Sequence, residues 1–164
     1  MFSDLYLPLN LTLRPAEPDA PALRRLAHAA ERWDLAQLGR DAEAIRPRIE
    51  RDDRARAEAA AGDRPAPRHY LIERAGAAAG RLIVRHDGAL ELLELTLLPE
   101  ARAAGAGEAV VQGLQRAAAE TAQPLALALH CLNTEALDAC RELGFVATDA
   151  DVGPTHLELR WQPR

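Results

Sequence analysis

The stretch ALELLELTLLPEARAAGAGE, which runs from Ala89 to Glu108, determines how the rest of the chain is organised. Its first half, Leu90 to Leu98, is almost continuously apolar, which is typical of a buried strand. Pro99 has no backbone N–H to give to a sheet and ends that strand. Gly105 and Gly107 then stand where the helical pattern AVVQGLQRAAAE begins. The stretch therefore predicts a strand, a turn and the start of a helix.

Bare backbone amides at this helix start predict an anion-binding site. The amides beside the glycines, the positive end of the helix dipole and Arg102 together favour a group such as a phosphate. A Gly-x-Gly between a strand and a helix also opens dinucleotide-binding units. Those units need a third small residue where this chain has Val110, and an acidic residue at the end of the next strand, where it has His130 and Cys131. A nicotinamide-dinucleotide enzyme is therefore poorly supported, and a glycine- and alanine-rich connection without a ligand is a further alternative.

Length and composition are those of one globular domain. The chain has 164 residues, of which 48% are hydrophobic and 27% charged, enough for a core without disulfide staples. Its net charge of −5 argues against nucleic acid as a partner, because proteins that track a phosphate backbone carry a basic excess. No apolar run approaches the ~20 residues that span a bilayer, and residues 1–10 lack the pattern of a secretion signal, so we expect a cytoplasmic protein without membrane contact. Cys131 and Cys140 lack metal-ligand spacing and are expected to be free thiols, and no metal site is predicted.

The rest of the chain reads as short strands and helices. Alternating apolar residues bounded by turn residues predict the strands, and apolar residues at helical spacing predict the helices. Pro15 is expected to end the first strand, and Pro47 to break the second helix. Before the glycine loop, the expected elements are an arm (1–10), a strand (11–14), a helix capped by Asp19 that reaches Trp33, a second helix (39–61), and a meander of three strands (69–74, 80–86 and 89–98).

The elements after the glycine loop complete the expected domain. A helix from Glu108 to Thr121 precedes the short buried strand LALALH, and a strand, helix and strand in this order favour a parallel pair. Asn133 or Thr134 is the expected cap of the next helix, and Gly144 its left-handed end. Two strands close the chain, at 146–148 and 155–161. No linker divides the chain, so residues 11–164 are expected to form a single domain.

Two segments carry specific motifs. One is Arg102-x-x-Gly105-x-Gly107 after a Leu-x-Leu-x-Pro strand end, and the other is Asn133-x-x-Ala136-x-x-x-Cys140-x-x-Leu143-Gly144-Phe145. The first resembles the acyl-CoA pyrophosphate loop of the GNAT superfamily of N-acyltransferases, Gln/Arg-x-x-Gly-x-Gly/Ala. The second is similar to that family's Asn-x-x-Ala-x-x-x-Tyr-x-x-x-Gly-Phe pattern, and the expected order of elements from Leu11 to Trp161 is that of the GNAT fold. Two motifs at the right separation are far less expected by chance than one.

The resemblance implies a fold and a cofactor. The fold is α/β of the α+β kind: a mixed, mostly antiparallel central sheet of about six to seven strands flanked by about four helices, with a parallel pair splayed at the cofactor cleft. The cofactor is acetyl-CoA. Its pyrophosphate would be held by the loop residues Arg102, Ala103, Ala104, Gly105, Ala106, Gly107 and Glu108. Its pantetheine arm would pair with the main chain of Leu95, Leu97 and Leu98, while Asn133 would contact the pantetheine or the adenosine side.

The activity implied by the resemblance is direct transfer of an acetyl group from acetyl-CoA to a primary amine of a small molecule or a protein. A base must take a proton from the ammonium, and an amide donor should stabilise the oxyanion. Glu91 and Glu94 are candidate bases, because an ionised carboxylate in an apolar strand must be paired, exposed or functional. Residues three apart on a strand face opposite sides unless a bulge intervenes, so at most one is expected to reach the cleft. His130 is a third candidate, and a structural role is the alternative for each.

Cys140 is where the chain departs from the family pattern. Relatives commonly have Tyr there, as the acid that protonates the leaving thiolate. A thiol can donate a proton but has a shorter reach, so water, or a purely structural role as a small buried residue, is the alternative. Ala103 and Ala104 also replace a Gly and a basic residue common in the loop, and Glu108 brings a negative charge close to the phosphates. A non-catalytic acyl-CoA-binding module with a GNAT fold is therefore the alternative function.

The acceptor amine has no motif of its own in the sequence. It is expected to lie against the first two helices and the last strands, near Trp33, Tyr70 and His156. Nothing in that region distinguishes an antibiotic, a polyamine, an amino acid or a peptide. Related folds often pair, so a homodimer is one expected assembly.

Overall fold

The computed structural model of the protein describes residues 2, 5–17, 20–23, 26 and 62–164. Its elements follow in the order β1 Leu11–Ala16, β2 Arg68–Arg74, β3 Ala77–His86, β4 Leu90–Leu97, α1 Pro99–Ala103, α2 Ala106–Glu120, β5 Leu125–His130, α3 Thr134–Glu142, β6 Val146–Ala147 and β7 His156–Trp161. Residues 21–23 and 26 are also helical, in agreement with the helix predicted after Asp19. The remainder of that helix, with Trp33, and the second predicted helix lie outside the described residues.

The strands form one sheet in the order β1-β2-β3-β4-β5-β7-β6. Neighbouring strands are antiparallel except β4 and β5, which run parallel. The parallel pair arises because α2 carries the chain from the end of β4 back to the start of β5. The predicted mixed, mostly antiparallel sheet with one parallel pair is confirmed.

Two prolines differ from their predicted roles. Pro15 lies inside β1 rather than at its end, because β1 is an edge strand and needs backbone hydrogen bonds on one side only. Pro99 ends β4 as expected, but it also begins α1, where only a turn was predicted. Proline suits the first turn of a helix, since its φ is already helical and its missing N–H has no partner there.

The larger of two apolar clusters lies between the sheet and the helices α2 and α3. It joins Leu82 and Leu90 of the sheet to Val110 and Leu114 of α2, all at most 1% exposed. A smaller cluster on the other face joins Leu71 of β2 to the helical residues 23 and 26. Described helical residues therefore pack against both faces of the sheet. None of the helices in the described part of the chain is long and apolar enough to cross a membrane.

The N-terminal arm contributes to the larger cluster. Phe2 and Leu7 are 2% and 5% exposed, and the Phe2 ring packs edge-to-face on Tyr70 with the ring centroids 5.6 Å apart. The arm crosses α2 at Gly113, where a Cβ atom would overlap the Leu7 side chain. Gly113 therefore allows the close approach of the arm to the helix.

A β-bulge in β4 decides where its carboxylates point. Ile83 of β3 pairs with Glu94, whereas Arg85 pairs with Glu91, so that a two-residue step on β3 matches a three-residue step on β4. The extra residue falls at Leu93. Ile83 and Arg85 are two residues apart and share a face of the sheet, and directly paired residues also share a face. Glu91 and Glu94 therefore lie on the same face, which a regular strand would not allow.

Candidate functional site

The strands β4 and β5 separate after a short parallel contact. Their register covers only Leu90 to Leu92 on β4 and Leu125 to Leu127 on β5. The bulge at Leu93 follows directly, and the two strands diverge beyond it. The gap opens into a cavity of about 480 Å³, lined by β4, the start of α2, the end of β5 and one face of α3.

The N-terminus of α2 opens onto this cavity. Gly105 is the N-cap residue, with φ +81°, and no side chain accepts from the first amides of the helix. Those amides have no partner within a helix, so they are available to an anion. A Cβ on Gly105 would meet nothing within 4 Å, and one on Gly107 only Leu97 Cδ1 at 3.5 Å, so there is open space beside the backbone. Arg102, Gly107 and Glu108 line the cavity. The Arg102 guanidinium and the backbone amides of Gly107 and Glu108 are donors that fit a phosphate group.

The other residues expected to bind a cofactor divide into two groups. Leu95, Leu97 and Asn133 line the cavity. Asn133 also caps α3, because its Oδ1 accepts from the Ala136 amide at 3.4 Å. The structure places the other residues of the predicted set outside the cavity lining: Leu98, Ala103, Ala104, Gly105 and Ala106.

Three of these positions have clear structural roles. The Leu98 amide donates to the Ala79 carbonyl at 2.8 Å, and its side chain packs against the smaller cluster. Ala106 is 0% exposed and belongs to the larger cluster. Gly105 provides the left-handed turn between α1 and α2, a conformation that favours glycine.

Glu94 is the candidate base that lines the cavity. Its Oε1 accepts from Arg81 Nε at 2.8 Å, from Arg81 Nη2, and from Thr96 Oγ1 at 2.8 Å. Its Oε2 accepts from no residue in the described part of the chain. One carboxylate oxygen is therefore held in place and the other is available to a ligand.

Glu91 lies on the same face as Glu94 but outside the cavity lining. It accepts from Arg64 Nη2, and its Oε2 lies 3.9 Å from Arg85 Nη1. Arg64 also donates to Asp87 Oδ2 at 2.7 Å. The arrangement around Glu91 is an ion-pair network that joins the loop before β2 to the turn between β3 and β4.

His130 is buried at the end of β5, 5% exposed and outside the cavity lining. Its Nδ1 accepts from the Leu132 amide at 3.1 Å. The ring packs edge-to-face on His156, which is also 5% exposed, with centroids 5.1 Å apart. Thr155 Oγ1 lies 2.9 Å from His156 Nδ1. Both histidines are thus integrated into the packing where β5 meets β7.

Cys140 lines the cavity from α3 and is 8% exposed. Burial raises the pKa of its thiol above the ordinary value, because the charged thiolate is poorly solvated there. The thiol is therefore protonated at neutral pH. Cys131 is exposed, and both cysteines are free thiols, as predicted.

Sequence reasoning missed the residues that surround Glu94. Arg81 and Thr96 hold its Oε1, and His69 of β2 lies on the same face. The pKa of His69 is lowered by burial and next by the charge of Arg81, so its ring is neutral at neutral pH. These residues become neighbours only through the strand register, which the sequence does not give.

The predicted acceptor surface is not supported at Tyr70. Tyr70 is 2% exposed and packs against Phe2, on the sheet face opposite to Glu94. His156 is buried beside His130, and Trp33 lies outside the described residues. Across residues 62–164 and the shorter described segments, no group of His, Cys, Asp and Glu side chains is arranged to hold a metal ion.

Comparisons with known proteins find similarity of structure. No protein-family model and no curated protein sequence matches the chain. An acetyltransferase from Thermus thermophilus superposes with a TM-score of 0.64 at 22% identity, over 96% of this chain and 99% of its own. PaiA N-acetyltransferase from Thermoplasma acidophilum, in complex with coenzyme A, superposes with a TM-score of 0.63 at 16% identity, over 93% of this chain and 98% of its own. A GNAT family acetyltransferase from Elizabethkingia anophelis with acetyl-CoA bound superposes with a TM-score of 0.58 at 13% identity, over 93% of this chain and 98% of its own.

Proposed function

We propose that this chain, which has the fold of the GNAT acetyltransferases, is an acetyl-CoA-dependent N-acetyltransferase that acts on a primary amine of a small molecule or a protein. The observation that carries the proposal is the uncapped N-terminus of α2, which opens onto the cavity between β4 and β5. Such a terminus binds phosphate, and a gap between strands accepts an extended chain that bears amide groups. Two of the similar structures hold coenzyme A or acetyl-CoA.

The chain's own groups divide the work of holding acetyl-CoA. The first amides of α2, at Ala106, Gly107 and Glu108, are the proposed donors to the diphosphate, with the Arg102 guanidinium beside them. The backbone of β4 beyond the bulge, at Leu95 and Leu97, is the proposed edge for the amides of the pantetheine arm. Asn133, at the opposite wall, offers a side-chain amide to the same arm.

The reaction requires that an amine lose a proton and that a thiolate gain one. Acetyl-CoA supplies an acetyl group activated as a thioester. Glu94 is the proposed base, because its Oε2 is available to accept from the acceptor's ammonium. Cys140 is the proposed acid, because its buried thiol is protonated at neutral pH and lines the same cavity. The new N–C bond replaces the C–S bond, and the thiol proton of Cys140 passes to the departing sulfur. The second proton of the acetylated nitrogen returns to the Cys140 thiolate, and Glu94 releases its proton to solvent.

Calorimetric titration and a turnover assay test the proposal in two steps. Coenzyme A should bind with a stoichiometry of one, and acetyl-CoA with a broad panel of amines should release free coenzyme A. The chain contains no lysine, so radiolabelled acetyl groups cannot accumulate on lysine side chains of the protein itself. Labelled product therefore reports on the added amine. Absence of binding by coenzyme A would contradict the proposal at its first step.

A non-catalytic acyl-CoA-binding module is the second candidate, and Cys140 is the observation that favours it. A thiol stands where the family pattern has a tyrosine, so the usual proton donor is absent. This candidate predicts binding of coenzyme A without turnover of any amine. Turnover in the Cys140→Tyr variant alone would identify a binding module that has lost its acid.

A further inference from the structure

Among the described residues that line the cavity, the exposed ones carry more negative than positive charge. Glu108, Glu135 and Glu142 line it and are exposed, and Arg102 is the cationic side chain among its described lining residues. Glu94 also lines the cavity, but it is paired with Arg81. The exposed described lining residues therefore include three carboxylates and one guanidinium.

These three carboxylates have no cationic partner among the described residues. Glu108 accepts only from the neutral side chain of Gln112, at 2.9 Å. The nearby Arg141 of α3 pairs with Asp138 at 2.9 Å. It does not pair with Glu135 or Glu142, although both are close to it in the sequence. Since the chain contains no lysine, it also lacks the flexible ammonium that commonly binds a phosphate.

Glu108 has a second effect, because it occupies the first turn of α2. A carboxylate there is stabilised by the helix dipole and reduces the positive potential that the terminus offers to an anion. The amides of α2 can still hold the diphosphate by direct hydrogen bonds. A second phosphate near the exposed described lining residues would meet more carboxylates than cations.

Coenzyme A has such a second phosphate, at the 3′ position of its ribose, and dephospho-coenzyme A lacks it. A phosphate monoester carries a charge of about −1.5 to −2 at pH 7. We infer that this chain repels the 3′-phosphate, so that thioesters of dephospho-coenzyme A serve as donors at least as well as those of coenzyme A. The inference rests on the proposed function, because it concerns the donor of that reaction.

Titration of the whole chain with coenzyme A and with dephospho-coenzyme A tests the inference without an acceptor. At about 20 mM NaCl, dephospho-coenzyme A should bind about threefold more tightly, the effect expected of two net charges at roughly 10 Å. At about 200 mM NaCl, where the Debye length is below about 10 Å, coenzyme A should bind more tightly than at low salt and the difference should close. In turnover assays at low salt, kcat/KM for acetyl-dephospho-coenzyme A should exceed that for acetyl-CoA by the same factor of about three.

Charge-neutralised variants provide the matched comparison. The combined substitution Glu108→Gln, Glu135→Gln and Glu142→Gln should remove the preference for dephospho-coenzyme A. It should also remove the rise in affinity for coenzyme A with salt. Glu120→Gln removes a single like charge at the far end of α2 and should leave both unchanged. Threefold tighter binding of coenzyme A than of dephospho-coenzyme A, weakening with salt, would overturn the inference and leave the proposed function standing. Binding of neither compound would overturn both.

Discussion

Glu94 and Glu91 share one face of β4 but have different surroundings. Glu94 lines the cavity and keeps one oxygen available, whereas Glu91 is paired with Arg64 and with Arg85 outside the cavity lining. Charge, residue type and face are the same, so the difference comes from position along the strand. On the proposed function, the carboxylate of Glu94 takes the proton and that of Glu91 stabilises strand ends.

Substitution at the two carboxylates distinguishes these roles. Glu94→Gln should lower kcat/KM about 100-fold, the usual contribution of a general base, while leaving the Kd for coenzyme A unchanged. Glu91→Gln is the control and should keep kcat/KM within about threefold while lowering the thermal unfolding midpoint, because it leaves Arg64 and Arg85 without that carboxylate. Steady-state kinetics and calorimetry measure both. A larger loss of turnover in Glu91→Gln would reverse the assignment.

The buried thiol of Cys140 gives the reaction a pH dependence. Burial raises its pKa, so the proton needed by the leaving thiolate is present at neutral pH and is lost only as the pH rises through that raised value. We expect kcat to fall at alkaline pH in the parent chain. The fall should disappear in Cys140→Ser, whose hydroxyl does not titrate in this range, and kcat should be lower throughout. An alkaline fall that persists in Cys140→Ser would assign the proton to water.

Alkylation measures the protonation state of the same thiol directly. Iodoacetamide reacts with thiolates, so at about pH 8 it should label the exposed Cys131 and spare Cys140. Labelling of Cys140 should begin only at higher pH and should be slower still with coenzyme A bound. Peptide mass spectrometry measures the alkylation of both cysteines, and in a Cys131→Ser variant the slower alkylation of Cys140 can be followed alone. Equal rates at the two cysteines at about pH 8 would contradict the raised pKa.

At the scale of elements, α2 has two glycines with different roles. Gly105 has φ +81° and makes the left-handed turn into the helix, so its role is conformational. Gly107 has ordinary helical geometry and only a 3.5 Å contact to Leu97 for a Cβ, so the fold does not need a glycine there. Close approach of a phosphate to the helix amides is then the remaining reason for it.

Gly107→Ala tests that reason. The variant should be as stable as the parent or up to about 1 kcal/mol more stable, since alanine favours a helix over glycine. Its Kd for coenzyme A should rise at least about tenfold, because a methyl group stands beside the amides that hold the diphosphate. Calorimetry and thermal unfolding provide the two measurements. Gly62→Ala, in open space away from the cavity, is the control and should change neither.

At the scale of the whole molecule, the core extends to the second residue of the chain. Phe2 is 2% exposed and packs on Tyr70, while Tyr6 of the same arm is 80% exposed. Phe2→Ala should lower the free energy of unfolding by about 3 kcal/mol, the cost of deleting a buried aromatic ring. Tyr6→Ala should change it by less than about 0.5 kcal/mol. Urea unfolding followed by circular dichroism compares them, and equal effects would show that the arm does not belong to the core.

Much of this fold could be predicted because its signals are local. The run Leu90 to Leu98 gave a strand, Asn133 and Gly144 gave the two ends of α3, and a strand, helix and strand gave the parallel pair. The short helix α1 was missed because Pro99 both ends a strand and begins a helix. The same proline was interpreted as the end of the strand, and a helix start was not predicted from it. The arm was not predicted to join the core, because a short segment with a few apolar residues does not indicate which part of the fold those residues pack against.

By itself, the sequence determined the element order and the glycine turn into α2, and it predicted an anion as the ligand of this turn. These depend on backbone sterics and hydrophobic spacing, which act between residues close together along the chain. Only the tertiary structure decided that Glu94 lines the cavity and Glu91 does not. The partners Arg81 and Arg64 lie 13 and 27 residues away from these carboxylates in sequence, and the bulge at Leu93 sets which face each carboxylate takes. Register and ion pairing between strands are settled by packing across the whole sheet, so no local pattern records them.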